Sequence, residues 1–216
     1  MKKGAIFDQD GLLFDTEAIF ARSWVEAGRQ MGFEVPPAFC TAVSGSSGPD
    51  MERIVQTYFP HIDYRAYIDL LFQISYAEQA RHLPEKPGAQ ELVRYLKQQG
   101  CKLAVASSSH RDKIQSNLER TGLAEIFDVV VSGQDVTAGK PNPDIFLLAA
   151  QKLGLPPEDC YVFEDSFNGV RAGHAAGCYT VMVPDLIQPD AEISRLYDAC
   201  CPSLLDAMAR IQTGQL

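Results

Sequence analysis

From Gly88 onward the chain alternates between helical stretches and short apolar runs, and glycine closes almost every helix. The stretch Ala89 to Gln99 reads as a helix ending at Gly100. The run Lys102 to Ala106 follows it, then a helix from about Arg111 to Arg120, then Asp128 to Val131. A helix from Pro143 to Leu153 stops at Gly154, ahead of Cys160 to Phe163. The last pair is a helix from Asn168 to Ala176 and a run from Tyr179 to Val183. Strands that alternate with helices in this way pair in parallel, because each crossover carries the chain back over a sheet face. The expected fold class is α/β, a doubly wound parallel sheet covered on both sides.

The first strand of that sheet is the run Ala5-Ile6-Phe7, which ends in Asp8, Gln9, Asp10 and Gly11. A run this short and apolar reads as a strand buried on both faces, and Gly11 invites a turn. Two carboxylates then stand at the carboxyl end of a buried strand, where open α/β sheets bind their ligands. Between this strand and the alternating region the pattern is helical throughout. Ala18, Phe20, Ala21, Trp24, Val25, Ala27 and Met31 recur near helical spacing, and Gly32 is a stop. Further helices are expected from Pro36-Pro37 to about Val43, from Met51 to about Tyr58 and from about Tyr64 to Arg81, with a loop from Ser44 to Asp50. The expected organisation is a core of residues 1–15 and 84–216, interrupted by an all-helical insert of residues 16–83. Two short junctions would suit a hinge.

The length of 216 residues accommodates such a core and insert. A formal net charge of −9 argues against a nucleic-acid partner, which would need a basic surface. No apolar stretch reaches membrane-spanning length, and the apolar run after Met1-Lys2-Lys3-Gly4 is too short for a signal-peptide core. Cys40, Cys101, Cys160, Cys178, Cys200 and Cys201 include no Cys-x-x-Cys pair and read as small thiols in a reducing compartment. A cytoplasmic location is the expectation.

Four loops that follow strands carry reactive groups. The first holds Asp8 and Asp10, and the second Ser107 and Ser108. The third, Gly139 to Asp144, holds Lys140, and the fourth holds Glu164, Asp165 and Ser166. Singly each has a plain explanation: a helix cap for Ser107, a solvated surface lysine, acids favoured by a helix dipole. Together, in this order, they point to one site.

The stretches FDQDGLLFDTE, VASSS, GKPNPD and FEDSFNGVRAGHAAG resemble the haloacid dehalogenase-like superfamily of phosphotransferases. The resemblance covers nearly the whole chain. It is strongest to the branch with a helical cap after the first strand, which includes β-phosphoglucomutase and small phosphatases. It implies that Asp8 is the nucleophile and becomes an aspartyl phosphate. Asp10 is implied as general acid and then base, with Ser107, Ser108 and Lys140 holding the phosphoryl group. A Mg²⁺ site is implied at Asp8, the Asp10 backbone carbonyl, Glu164 and Asp165. Gln9 departs from the pattern, where a hydrophobic residue is commoner, and its side chain is expected to point away from the site.

Asp10 argues against a dehalogenase, since those relatives lack an acid two residues after the nucleophile. The insert from Glu17 to Leu83 contains no lysine, which argues against the Schiff-base phosphonatases. In the mutase branch a basic residue of the cap loop holds a second phosphate. The corresponding loop here is Gly45, Ser46, Ser47 and Gly48, with Gly48 at the expected arginine and Phe20 where the mutase has a histidine. The expected function is a Mg²⁺-dependent phosphomonoesterase acting on a small phosphorylated metabolite, a sugar phosphate or a nucleoside monophosphate. Arg22 and Arg53 are the basic candidates for contacting a polar substrate, and His61, His82, His110 and His174 lack metal-ligand spacing. A phosphosugar mutase and a catalytically idle binding protein are the alternatives. No membrane or nucleic-acid partner is expected, and the chain is expected to be a monomer or weak dimer.

Overall fold

The computed structural model describes residues 1–44, 46 and 48–216. The chain divides into two compact units, Met1–Phe14 with Glu85–Leu216, and Asp15–Pro84.

The first unit is built on a six-stranded parallel sheet. Its strands are β1 (Gly4–Phe7), β2 (Lys102–Ser107), β3 (Val129–Ser132), β4 (Cys160–Glu164), β5 (Tyr179–Met182) and β6 (Ala199–Cys200), in the order β3-β2-β1-β4-β5-β6. The sheet grows outward in both directions from β1, the pattern of a doubly wound fold. All four residues of β1 are buried, as a central parallel strand requires. Phe7 stacks on Phe163 of β4 with ring centroids 4.8 Å apart. One apolar cluster gathers Ile6, Ala104, Val131, Phe146, Ala150 and Val162, where helix α7 (Asp144–Leu153) covers the sheet.

The short β6 lies outside the expected elements. Two residues carry no periodicity, and only pairing with β5, Val181 to Ala199 and Met182 to Cys200, makes them a strand. The helix expected near the C-terminus is present as α9 (Leu204–Gln212), capped by Ser203.

The second unit contains α1 (Thr16–Gln30), α2 (Pro37–Val43), α3 (Gly48–Tyr58) and α4 (Tyr64–Arg81). It has its own core of Trp24, Phe39, Val55, Tyr67 and Leu71, and the buried Tyr67 hydroxyl donates to the Trp24 carbonyl at 3.0 Å. α3 starts three residues before the expected Met51, because proline is tolerated in a first helical turn and Pro49 sits there. Gly45 and Ser47 of the expected specificity loop lie outside the described residues. Ser46 turns its hydroxyl back to the Val43 carbonyl at 2.6 Å, and Gly48 opens α3. Arg22 is paired with Glu78 and Arg53 with Asp50, so both basic candidates are engaged within this unit. Among the described residues, no helix is long and apolar enough to cross a membrane.

Candidate active site

The strand register brings the site together. Phe7 of β1 pairs with Val105 of β2 and with Phe163 of β4. One residue further along each strand come Asp8, Ala106 and Glu164. These three therefore share a rung at the carboxyl edge of the sheet.

Lys140 closes that rung. Its ammonium donates to Asp8 Oδ1 at 2.5 Å, to Glu164 Oε1 at 2.6 Å and to the Ala106 carbonyl at 3.1 Å. A lysine has three N–H donors, and all three are engaged. The side chain is 6% exposed and lies 4.9 Å from the centre of the Phe146 ring. Its backbone is placed by the tight turn ahead of α7, where the Asn142 N–H and side-chain amide both donate to the Gly139 carbonyl at 3.0 Å. Burial lowers the Lys140 pKa, but the Asp8 and Glu164 carboxylates more than offset it and hold the ammonium protonated. Burial pushes the Asp8 carboxyl up to about 7; Lys140 works against this, while Glu164 and Asp10 add to it.

Glu164 is fully buried. Besides Lys140 on one oxygen, its Oε2 accepts from the Asp165 N–H, the Ser166 N–H and the Ser166 hydroxyl, each at 3.0 Å. Ser166 caps helix α8 (Phe167–Ala175) by accepting from the Gly169 N–H at 3.1 Å. A Cβ at Gly169 would stand 1.8 Å from the Glu164 carboxylate, so only glycine leaves room for that acid. The four donors occupy both Glu164 oxygens. Glu164, expected among the metal ligands, here links Lys140 to the start of α8.

Asp10 lies in the turn that follows β1. Gly11 has φ 82°, a left-handed conformation that glycine adopts without strain, and the Leu13 and Phe14 N–H groups both return to the Gln9 carbonyl. Asp10 Oδ2 accepts from Ser107 Oγ at 3.2 Å and from Ser109 Oγ at 2.8 Å. The Ser107 oxygen also receives the Ser109 N–H at 3.1 Å. Ser109 was missed from sequence, since a third serine in a row carries no signal of its own. Ser108, expected with Ser107, is exposed. Lys113, one turn into α6 (Arg111–Arg120), was also missed. Burial lowers its ammonium, and Asp10 counteracts that from nearby.

Gln9 corrects a further expectation. It is fully buried, and its amide nitrogen lies 3.4 Å from Asp10 Oδ2. The alternation of a strand predicted a side chain turned away, but the strand has already ended at Phe7.

The sequence matches the family described as haloacid dehalogenase-like hydrolase over residues 5–183. The chain belongs to this family. A phosphorylated carbohydrates phosphatase of Thermotoga maritima is 31% identical over 179 residues, 81% of this chain and 82% of that protein. Hexitol phosphatase A of Escherichia coli is 32% identical over 181 residues, 84% of this chain and 82% of that protein. Among solved structures, a haloacid dehalogenase-family hydrolase from Deinococcus radiodurans with bound phosphate and sodium superposes with a TM-score of 0.79 at 28% identity. That match covers 100% of this chain and 97% of the other. The expected fold and family therefore both hold, and the enzyme class is that of the haloacid dehalogenase-like hydrolases.

Proposed function

We propose that this hydrolase is a Mg²⁺-dependent phosphomonoesterase for small phosphorylated metabolites, working through an aspartyl phosphate on Asp8. The supporting observation is the shared rung, where one ammonium holds the Asp8 carboxylate at the sheet edge beside a second acid, Asp10. Phosphatase relatives named for phosphorylated carbohydrates, for hexitol and for pseudouridine 5′-phosphate keep both sugar phosphates and nucleoside monophosphates as candidate substrates.

The donor set fits a hard divalent ion. Mg²⁺ is held by one or two carboxylates together with waters and a substrate phosphate. Asp8 and Asp165, both buried at the ends of neighbouring strands, and the Asp10 carbonyl are the oxygen donors assigned to it. Bound there, the ion supplies positive charge against the phosphoryl oxygens.

In the first step an Asp8 oxygen attacks phosphorus. The bond from phosphorus to the leaving oxygen breaks, and the proton on Asp10 passes to that oxygen. In the second step Asp10, now a carboxylate, takes a proton from water as the water oxygen attacks phosphorus. The bond from phosphorus to Asp8 breaks, giving inorganic phosphate and restoring both acids. Ser107 is assigned to the phosphoryl group, and because its hydroxyl donates to Asp10 Oδ2 at 3.2 Å, that contact requires exchange of this bond. Lys140 has no spare donor, so its part is to orient Asp8 and neutralise it between turnovers; contact with phosphate requires exchange of one of its three bonds. Water is favoured as acceptor over a second sugar, because the insert lacks lysine and both Arg22 and Arg53 are already ion-paired.

A panel of sugar phosphates and nucleoside monophosphates, assayed for phosphate release with and without Mg²⁺, tests the reading. Mg²⁺-dependent release is expected; its absence across the panel overturns the proposal. Conversion of β-glucose 1-phosphate to glucose 6-phosphate with a trace of bisphosphate would replace it with a mutase.

A further inference from the structure

We infer that Gln9 is a positioning residue for proton transfer by Asp10, an inference that rests on the phosphatase reading above. Its side chain is fully buried, with Nε2 3.4 Å from Asp10 Oδ2, and Oε1 has no hydrogen-bond partner among the described residues. A buried acceptor without a partner costs stability. An apolar side chain of similar size would carry no such cost, so the amide is explained by what its other end does. The orientation is set by charge: the reversed amide would place Oε1 against a carboxylate oxygen, acceptor against acceptor.

Three donors converge on Asp10 Oδ2, from Ser109, Ser107 and Gln9. They are not equivalent. A serine hydroxyl can rotate and accept instead of donate, and Ser107 is also required by the phosphoryl group. An amide N–H can only donate. Gln9 is thus the neighbour that keeps Oδ2 an acceptor throughout turnover. The hydrogen that Asp10 gives to the leaving oxygen is then carried on Oδ1, and Oδ1 takes the hydrogen back from water. Gln9 itself neither gains nor loses a proton.

The test uses Gln9→Met, which keeps the length and removes the donor, with Gln9→Leu as the second variant should the first fail to fold. Each is assayed with Mg²⁺ on p-nitrophenyl phosphate, whose leaving group departs without a proton, and on phenyl phosphate, whose leaving group depends on one. We expect kcat/KM to fall roughly fivefold for phenyl phosphate, the size of one hydrogen bond's net contribution, and to stay within about twofold for p-nitrophenyl phosphate. In an Asp10→Ala background the same substitution should cost nothing further. Equal losses on both substrates, no loss on either, or an undiminished loss without Asp10 would overturn the inference. A wild-type enzyme inactive on both substrates and across the metabolite panel would instead overturn the phosphatase reading, and this inference with it.

Discussion

At Lys140 a single ammonium directs its three N–H donors to acceptors at the ends of three adjacent strands. Removing it leaves two buried carboxyl groups facing each other without the cation between them. Lys140→Met should therefore destabilise the fold by about 3–5 kcal/mol, read from urea denaturation, as expected when one partner of a buried ion pair is lost. Little loss would mean that Asp8 and Glu164 are adequately solvated without it. Asp8 allows a pH prediction. Its folded pKa lies near 7 against an ordinary 3.8, so the folded protein binds the extra proton between those values. This contribution to stability is complete below about pH 4 and is lost as pH rises through about 7. In protein stripped of divalent ions, unfolding free energy should fall over that window, and Asp8→Asn should flatten the fall. A slope unchanged by the substitution would assign it to other groups.

Among the elements, α8 and the end of β4 are coupled through Glu164. Gly169→Ala drives a methyl group into that carboxylate, so the acid must leave its place and release the Ser166 cap along with its bond to Lys140. Activity should fall at least tenfold, with a loss of stability of about 1–3 kcal/mol, the cost of stranding buried polar groups. Wild-type activity in this variant would show that Glu164 moves freely. Most of this architecture was readable in the sequence. Short apolar runs ending in Asp8, Ser107 and Glu164 marked the strand ends, and glycines marked the helix ends. What could not be read was lateral. That Asp8, Ala106 and Glu164 share one rung depends on strand register, which no local pattern records. The four donors on the Glu164 carboxylate, the Ser109 contact and the inward turn of Gln9 all depend on how the loops fold. The resemblance supplied the candidate residues; packing determines what each of them touches.

For the whole molecule, the acidic balance has a consequence. The chain carries a formal net charge of −9, and at this sheet edge the Lys140 ammonium is paired with Asp8 and Glu164, while Asp10 and Asp165 follow in the adjoining loops. A bound divalent ion offsets that excess, and a ligand that binds only the folded state raises the unfolding temperature. Mg²⁺ at millimolar concentration should raise Tm relative to EDTA-treated protein, and chelation should abolish turnover reversibly. The rise in Tm should disappear in Asp165→Asn. Equal melting with and without Mg²⁺ would remove the ion from the account.

The claim that everything else serves is that Asp8 forms a covalent bond to phosphorus. Quenching a turnover of a good sugar phosphate substrate and reducing with borohydride converts an aspartyl phosphate to homoserine, which peptide mass spectrometry locates by residue. The account predicts homoserine at position 8, dependent on Mg²⁺ and absent without substrate. Homoserine at another acid, or steady phosphate release with position 8 never modified, would contradict it.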